Sequence, residues 1–137
     1  FTHIVSSTDY PLFEVAGYRC SVGICMDLND DHFIQFCEQF KVELLAFPTN
    51  WLDEGHSVYE YWAYRLQKCS LVLVAANTYG TELWKDYPED IQNVNFRGES
   101  AIINLQQSTI LALAEAEGDD LIFTDLPEID VKNRKAH

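Results

Sequence analysis

Tyr18-Arg19-Cys20-Ser21-Val22-Gly23-Ile24-Cys25-Met26-Asp27-Leu28 is the stretch whose reading decides the fold: a largely apolar run stops abruptly at Gly23-Ile24-Cys25-Met26-Asp27. A buried strand that delivers one thiol to its own carboxyl end is how an α/β scaffold presents a nucleophile. A lone cysteine is more often a small buried hydrophobe, so the segments around Cys25 have to carry the reading.

Working outward, Leu12 to Ala16 followed by Gly17 reads as a short strand and turn leading into the strand that ends at Cys25. Downstream, Asn29-Asp30-Asp31 supplies N-cap chemistry, and Phe33, Phe36, Cys37 and Phe40 recur at helical spacing. Val42 to Phe47 is an apolar run but for Glu43, the pattern of a strand buried on both faces of a parallel sheet, with Pro48 expected to stop its ladder. Ser57 is the expected N-cap of a second helix marked by Val58, Tyr61, Trp62, Arg65, Leu66 and Cys69, and Leu71 to Ala76 is a third buried strand. Strand alternating with helix implies parallel crossovers, and ligands in such α/β sheets bind outside the carboxyl ends of the strands. Cys25, Pro48-Thr49-Asn50-Trp51 and Asn77-Thr78-Tyr79 all fall at those ends.

After this core the pattern changes. Residues 81–93 form a polar, aromatic-containing stretch, longer than a usual connection and expected as a loop near the site. Asn95 to Phe96, Ala101 to Asn104, Thr109 to Ala114 and Leu121 to Asp125 then read as short antiparallel strands, and residues 131–137 as a solvated tail.

The order GIC-x-D at 23–27, LL-x-FPT-x-W at 44–51, VAAN at 74–77 and F-x-G-x-S-x-I at 96–102 resembles the carbon-nitrogen hydrolase (nitrilase/amidase) superfamily, in its C-terminal half. The resemblance extends from Leu12 to Pro127 and rests on several short motifs in the family's order. Met26-Asp27 after the cysteine, where nitrile-cleaving members usually have Trp-Glu, is similar to the amide-cleaving branches. CMD with FPT-x-W is most similar to protein N-terminal amidases, and the FPT-x-W block is similar to the pantetheinase and biotinidase branch as well. The implied fold is α/β, the C-terminal half of a four-layer α-β-β-α sandwich. The implied activity is hydrolysis of a carboxamide C–N bond through an acyl-thioester on Cys25, with the amide of an N-terminal Asn or Gln as leading substrate. A small-amide, ω-amidase or pantetheinase-like hydrolase is the alternative. Family members place a general-base Glu and an oxyanion Lys beside the cysteine. Both positions are expected upstream of Phe1, since residues 1–10 contain neither residue type.

The resemblance makes Cys25 the nucleophile, and a backbone N–H just beyond a strand, that of Met26, is placed to serve as an oxyanion donor. Asp27 is a candidate to bind a substrate ammonium, or simply a cap for the following helix. Thr49, Asn50 and Trp51 are expected to line the site, with a core role as the alternative for Trp51. Asn77 ends a buried strand, where its amide must find partners and either holds a loop or touches substrate. Glu54 and His56 read as solvated loop residues. The four histidines are scattered and the cysteines form no C-x-x-C pair, so no metal site is expected, and no cofactor.

A chain of 137 residues, 47% hydrophobic and 13% aromatic, is long enough for a real core. A complete domain of the superfamily is about twice as long, so residues 1–130 read as a partial domain whose open sheet edge and face call for a partner segment. The aromatic helix from Ser57 to Cys69 is expected to mediate a homo-oligomer. A net charge of −13 repels nucleic acid and anionic membranes and favours neutral or cationic ligands, unless it serves solubility alone. No run approaches the ~20 apolar residues of a membrane span, and reduced thiols suit a cytoplasmic enzyme. The reading from another class is a non-catalytic interaction module that lacks the family's Glu and Lys.

Overall fold

The computed structural model describes residues 2–5, 10–115 and 118–126. Strands β1 (Thr2–Val5), β2 (Pro11–Val15) and β3 (Tyr18–Val22) are followed by a 3-10 turn (Cys25–Asn29) and helix α1 (Asp31–Gln39). Strand β4 (Leu44–Thr49), helix α2 (Val58–Arg65) and β5 (Val72–Asn77) come next, then β6 (Tyr79–Leu83), β7 (Asn93–Arg97), β8 (Ala101–Asn104) and β9 (Thr109–Leu113). Seven strands form one sheet in the order β1-β2-β3-β4-β5-β8-β9, while β6 and β7 pair separately as a hairpin. The centre, β3-β4-β5, is parallel as the apolar runs require, and the flanks are antiparallel.

Residues paired in register point to one side of the sheet and alternate along each strand. On one side Leu45, Phe47, Leu73 and Ala75 are buried in a single core with Phe33, Phe36 and Cys37 of α1 and Val58 and Trp62 of α2. Each large side chain buried there contributes roughly 1.5–3 kcal/mol. Phe47 meets Trp62 edge-on at 5.5 Å, so the second helix is keyed to the central strand by shape as well as by area. On the other side Leu44, Ala46 and Val74 are half-buried and Pro48 and Ala76 are exposed. Cys20, Val72 and Ile102 are buried on that side as well, so the central strands are fully covered on one face and only partly on the other. The described chain supplies two layers, helices and sheet, of the expected α/β sandwich.

Several boundaries differ from expectation. Strand β3 ends at Val22, and only the Gly23 N–H, on Ala46 O at 3.0 Å, prolongs its ladder before the chain turns away. Pro48 lies inside β4, opposite Ala76. Ala46 turns its carbonyl toward Gly23, so Pro48, two residues on, faces the same way, beyond the end of β3, where no donor is needed. Within residues 81–93, 84–92 form the expected loop, while 81–83 and 93 belong to β6 and β7, which pair from Tyr79↔Arg97 to Leu83↔Asn93. Leu121 to Asp125 forms no strand, whereas β1, which pairs with β2, was not expected. Residues 131–137, read as a tail, lie outside the described residues.

The aromatic content of α2, which suggested an oligomer interface, is largely spent within the chain. Trp62 is fully buried, Tyr59 and Tyr61 pack against the core, and Tyr64 alone is well exposed at 63%. No described helix is long and apolar enough to cross a membrane.

Candidate active site

The site is built on the turn after β3. Gly23 is buried beneath α1, and a Cβ at this position would lie 2.6 Å from the Phe33 ring, so only glycine lets the helix seat this closely. Two residues later Cys25 takes φ +48°, the left-handed region that a non-glycine residue adopts only under strain of order 1–3 kcal/mol. The Ile24 N–H donates to Asp27 Oδ2 at 2.9 Å, and the Asp27 N–H returns to Ile24 O at 3.0 Å, closing the turn from both sides. That bond is the first of the 3-10 turn. The N–H groups of Cys25 and Met26 precede it and have no acceptor within the turn.

Helix α2 clamps this turn from the side. Arg65 Nε donates to Leu28 O at 2.9 Å and Arg65 Nη2 to Asp31 Oδ1 at 2.8 Å, while the Tyr61 hydroxyl donates to Asn29 Oδ1. Leu28 is fully buried, anchoring the turn in the core. The N-cap of α1 is Asp30, whose Oδ1 accepts the His32 N–H at 2.9 Å, rather than Asn29 or Asp27.

The four thiols fall into two kinds. Cys20, Cys37 and Cys69 are buried, and burial raises each above the ordinary thiol range, Cys69 to about 11. They stay protonated and sheltered at neutral pH. Cys25 is half-buried and borders a cavity of about 540 Å³.

The cavity's near wall is Met26 with Asn50 and Trp51 from the end of β4, as expected from the sequence. Trp51 belongs to both of its anticipated settings: it faces the cavity and packs against Phe47, Tyr61 and Trp62 at 6.2, 5.6 and 6.3 Å. Glu54 and His56, read as solvated, are exposed and also border the cavity. The far wall is the β6–β7 hairpin, which brings Glu82, Trp84 and Phe96. The sequence pointed only to the neighbourhood of this segment. A pairing partner for its polar residues was not visible.

Three expected site residues face elsewhere. The Asp27 carboxylate is taken up by Ile24 N–H and is not part of the cavity wall. Thr49 is buried, and its hydroxyl has no partner among the described residues. Asn77 is a bracket: Oδ1 accepts the Trp51 N–H at 2.7 Å and Nδ2 donates to Gly98 O at 2.8 Å. Asn50, by contrast, borders the cavity while its Oδ1 accepts the Thr78 hydroxyl.

A charged network braces the loop below Trp51. Arg97 donates to Asp53 Oδ1 at 3.0 Å and lies 3.2 Å from Glu99, whose other oxygen accepts the Val58 N–H at 3.3 Å. The Gly55 N–H and then Arg97 hold the Asp53 carboxyl below the usual range. Glu99 is buried and caps α2 from across the sheet, the task expected of Ser57, whose side chain makes no capping bond. Among the described residues no three His, Cys, Asp or Glu side chains converge as a metal site.

No protein-family model matches the sequence, and no curated protein does. Solved structures do match. An amidase from Nesterenkonia sp. AN1, seen with acrylamide added at its active-site cysteine, superposes with a TM-score of 0.70 at 21% identity, covering 93% of this chain and 46% of that one. A carbon-nitrogen hydrolase from Helicobacter pylori G27 gives 0.62 at 18% identity, covering 79% and 40%. A glutamine-dependent NAD+ synthetase from Acinetobacter baumannii gives 0.66 at 17% identity, covering 95% and 24%. The chain therefore has the nitrilase-like fold over a partial domain, spanning less than half the length of each of these proteins.

Proposed function

We propose that the chain carries the nucleophile of a carboxamide hydrolase, with Cys25 forming an acyl-thioester. The observation that carries this reading is the strained left-handed turn that sets Cys25, alone of the four thiols, on the wall of the cavity. Such strain persists only where the surroundings over-determine it, and it clusters at functional sites.

The Cys25 thiolate attacks the amide carbonyl carbon, a C–S bond forms, and the carbonyl electron pair moves to oxygen. The N–H groups of Met26 and its neighbour meet that oxyanion. Collapse breaks the C–N bond and the nitrogen leaves as the protonated amine or ammonia. Water then cleaves the thioester, giving the carboxylate and restoring the thiol. A free thiol is mostly protonated at neutral pH, so a base is required. We assign that base and a lysine for the oxyanion to a segment upstream of this chain, whose own sheet packs on the incompletely covered face formed by Leu44, Ala46, Pro48, Val74 and Ala76. The apolar character of that face supports the assignment.

Among amides, the side-chain carboxamide of an N-terminal Asn or Gln, beside its free α-ammonium, is the leading substrate, with a small-amide or ω-amidase reaction next. The test is a brief iodoacetamide pulse under native conditions, mapped by mass spectrometry. Cys25 is expected to be labelled ahead of Cys20, Cys37 and Cys69, and Cys25→Ala to fold normally without turnover. Equal labelling of all four without turnover in the intact protein would leave the chain a non-catalytic interaction module, and turnover in Cys25→Ala would assign the hydrolysis to another residue.

A further inference from the structure

The cavity beside Cys25 has a charge and surface character that the hydrolytic step itself does not require. Among the described residues no Lys or Arg borders it. Arg97 and Arg65 are occupied elsewhere, Arg97 on Asp53 and Glu99, and Arg65 on Leu28 O and Asp31. Two carboxylates, Glu54 and Glu82, do border it, with the aromatic rings of Trp51 and Trp84. The Trp84 indole N–H donates to Glu82 Oε2 at 3.1 Å, which fixes a carboxylate and a π-face side by side on the hairpin wall.

Resting on the Cys25 reading above, we propose that the amide taken by this cavity bears a cationic group, an ammonium or guanidinium, held by Glu82 and Glu54 against the face of Trp84. A carboxylate next to an aromatic face attracts a cation through both its charge and the ring quadrupole. An anionic ligand would meet two like charges on this wall, with no Lys or Arg among the described residues beside them, a repulsion that disfavours it. This moves the recognition of cations from Asp27, whose carboxylate closes its own turn, to the hairpin and the loop after β4. The hairpin that bears Glu82 and Trp84 thereby becomes a specificity-determining arm.

The probes are three methanethiosulfonates of different charge: 2-(trimethylammonium)ethyl, methyl and 2-sulfonatoethyl. Each transfers its alkylthio group to a thiolate with loss of the sulfinate, so reaction at Cys25 needs no completing base. Rates at Cys25 in the full chain, at about 0.15 M salt where the screening length is about 8 Å, are divided by those for 2-mercaptoethanol. The normalised cationic rate is expected to exceed the anionic one by about tenfold or more. Glu54→Gln with Glu82→Gln collapses that ratio severalfold. Glu14→Gln with Glu38→Gln changes net charge equally but leaves it intact. Trp84→Leu slows the cationic reagent selectively.

Equal normalised rates, or an equal loss of preference in both double variants, would overturn the proposal while Cys25 remains a reactive thiol. Cys25 left unmodified by all three reagents would overturn this proposal and the hydrolase reading together.

Discussion

Asn77 Oδ1 accepts the backbone N–H of Trp51 at 2.7 Å, joining the carboxyl end of β5 to the residue that follows β4 by two. The same side chain reaches Gly98 O, so one amide fixes two segments next to the cavity. Asn77→Ala leaves the Trp51 N–H and Gly98 O without this partner and is expected to cost roughly 1–3 kcal/mol. Asn77→Asp keeps the acceptor but sets a carboxylate against a carbonyl, and is expected to be at least as damaging. Urea titrations check both, and a loss below about 0.5 kcal/mol would show that the bracket is not structural.

Gly23 and Phe33 form a lock between strand end and helix. Gly23→Ala places a methyl 2.6 Å from the Phe33 ring, and overpacking of this kind costs about 1–3 kcal/mol. Phe33→Leu alone is destabilising through lost packing. In the double variant the smaller side chain accommodates the methyl, so the two losses are expected to add to less than their sum. Strict additivity in thermal unfolding would contradict direct contact.

The left-handed turn at Cys25 predicts a separation of stability from reactivity. Glycine adopts φ +48° without a Cβ penalty, so Cys25→Gly is expected to be about 1 kcal/mol more stable than Cys25→Ala. Both variants lack the thiol. Identical denaturation midpoints would mean that the turn is unstrained.

Buried thiols set the alkaline limit. Burial raises Cys69 to about 11 from an ordinary 9.0, and Cys37 shifts the same way. The folded state therefore holds protons that the unfolded state releases between pH 9 and 11. Their contribution to stability is full below pH 9 and falls as pH rises through that window, by up to ~1.4 kcal/mol per pH unit for each thiol. Cys69→Ala lowers stability at pH 7 but is expected to flatten this decline. An unchanged slope of unfolding free energy against pH would refute the assignment.

The parallel core was legible because Leu44–Phe47 and Leu71–Ala76 are unbroken apolar runs, and α1 because Phe33, Phe36 and Cys37 share a face. The β6–β7 hairpin was legible only at Asn95–Phe96 of β7. Tyr79 to Leu83 has no buried face, so it carries no period-two signal, and the pairing that makes it a strand lies in backbone bonds to Asn93–Arg97. Apolarity also carried the reading of β3 too far, since Ile24 and Met26 continue the run yet are exposed beyond the strand's end. For Asp27 and Asn77 the sequence left a substrate contact and a structural role open, because the backbone N–H groups that they satisfy, those of Ile24 and Trp51, are set by the turns and leave no trace in composition. Glu99 was missed for the same reason, its partner Val58 lying far away in the chain.

The central claim is a covalent acyl group on Cys25. The measurement that tests it most directly is acid quenching of the protein from its native source during turnover of a cationic carboxamide, followed by peptide mass analysis. The account predicts the acyl mass on the peptide containing Cys25, released by hydroxylamine and absent from Cys25→Ala. Hydrolysis that continues in Cys25→Ala, with no acyl group on any cysteine, would contradict it.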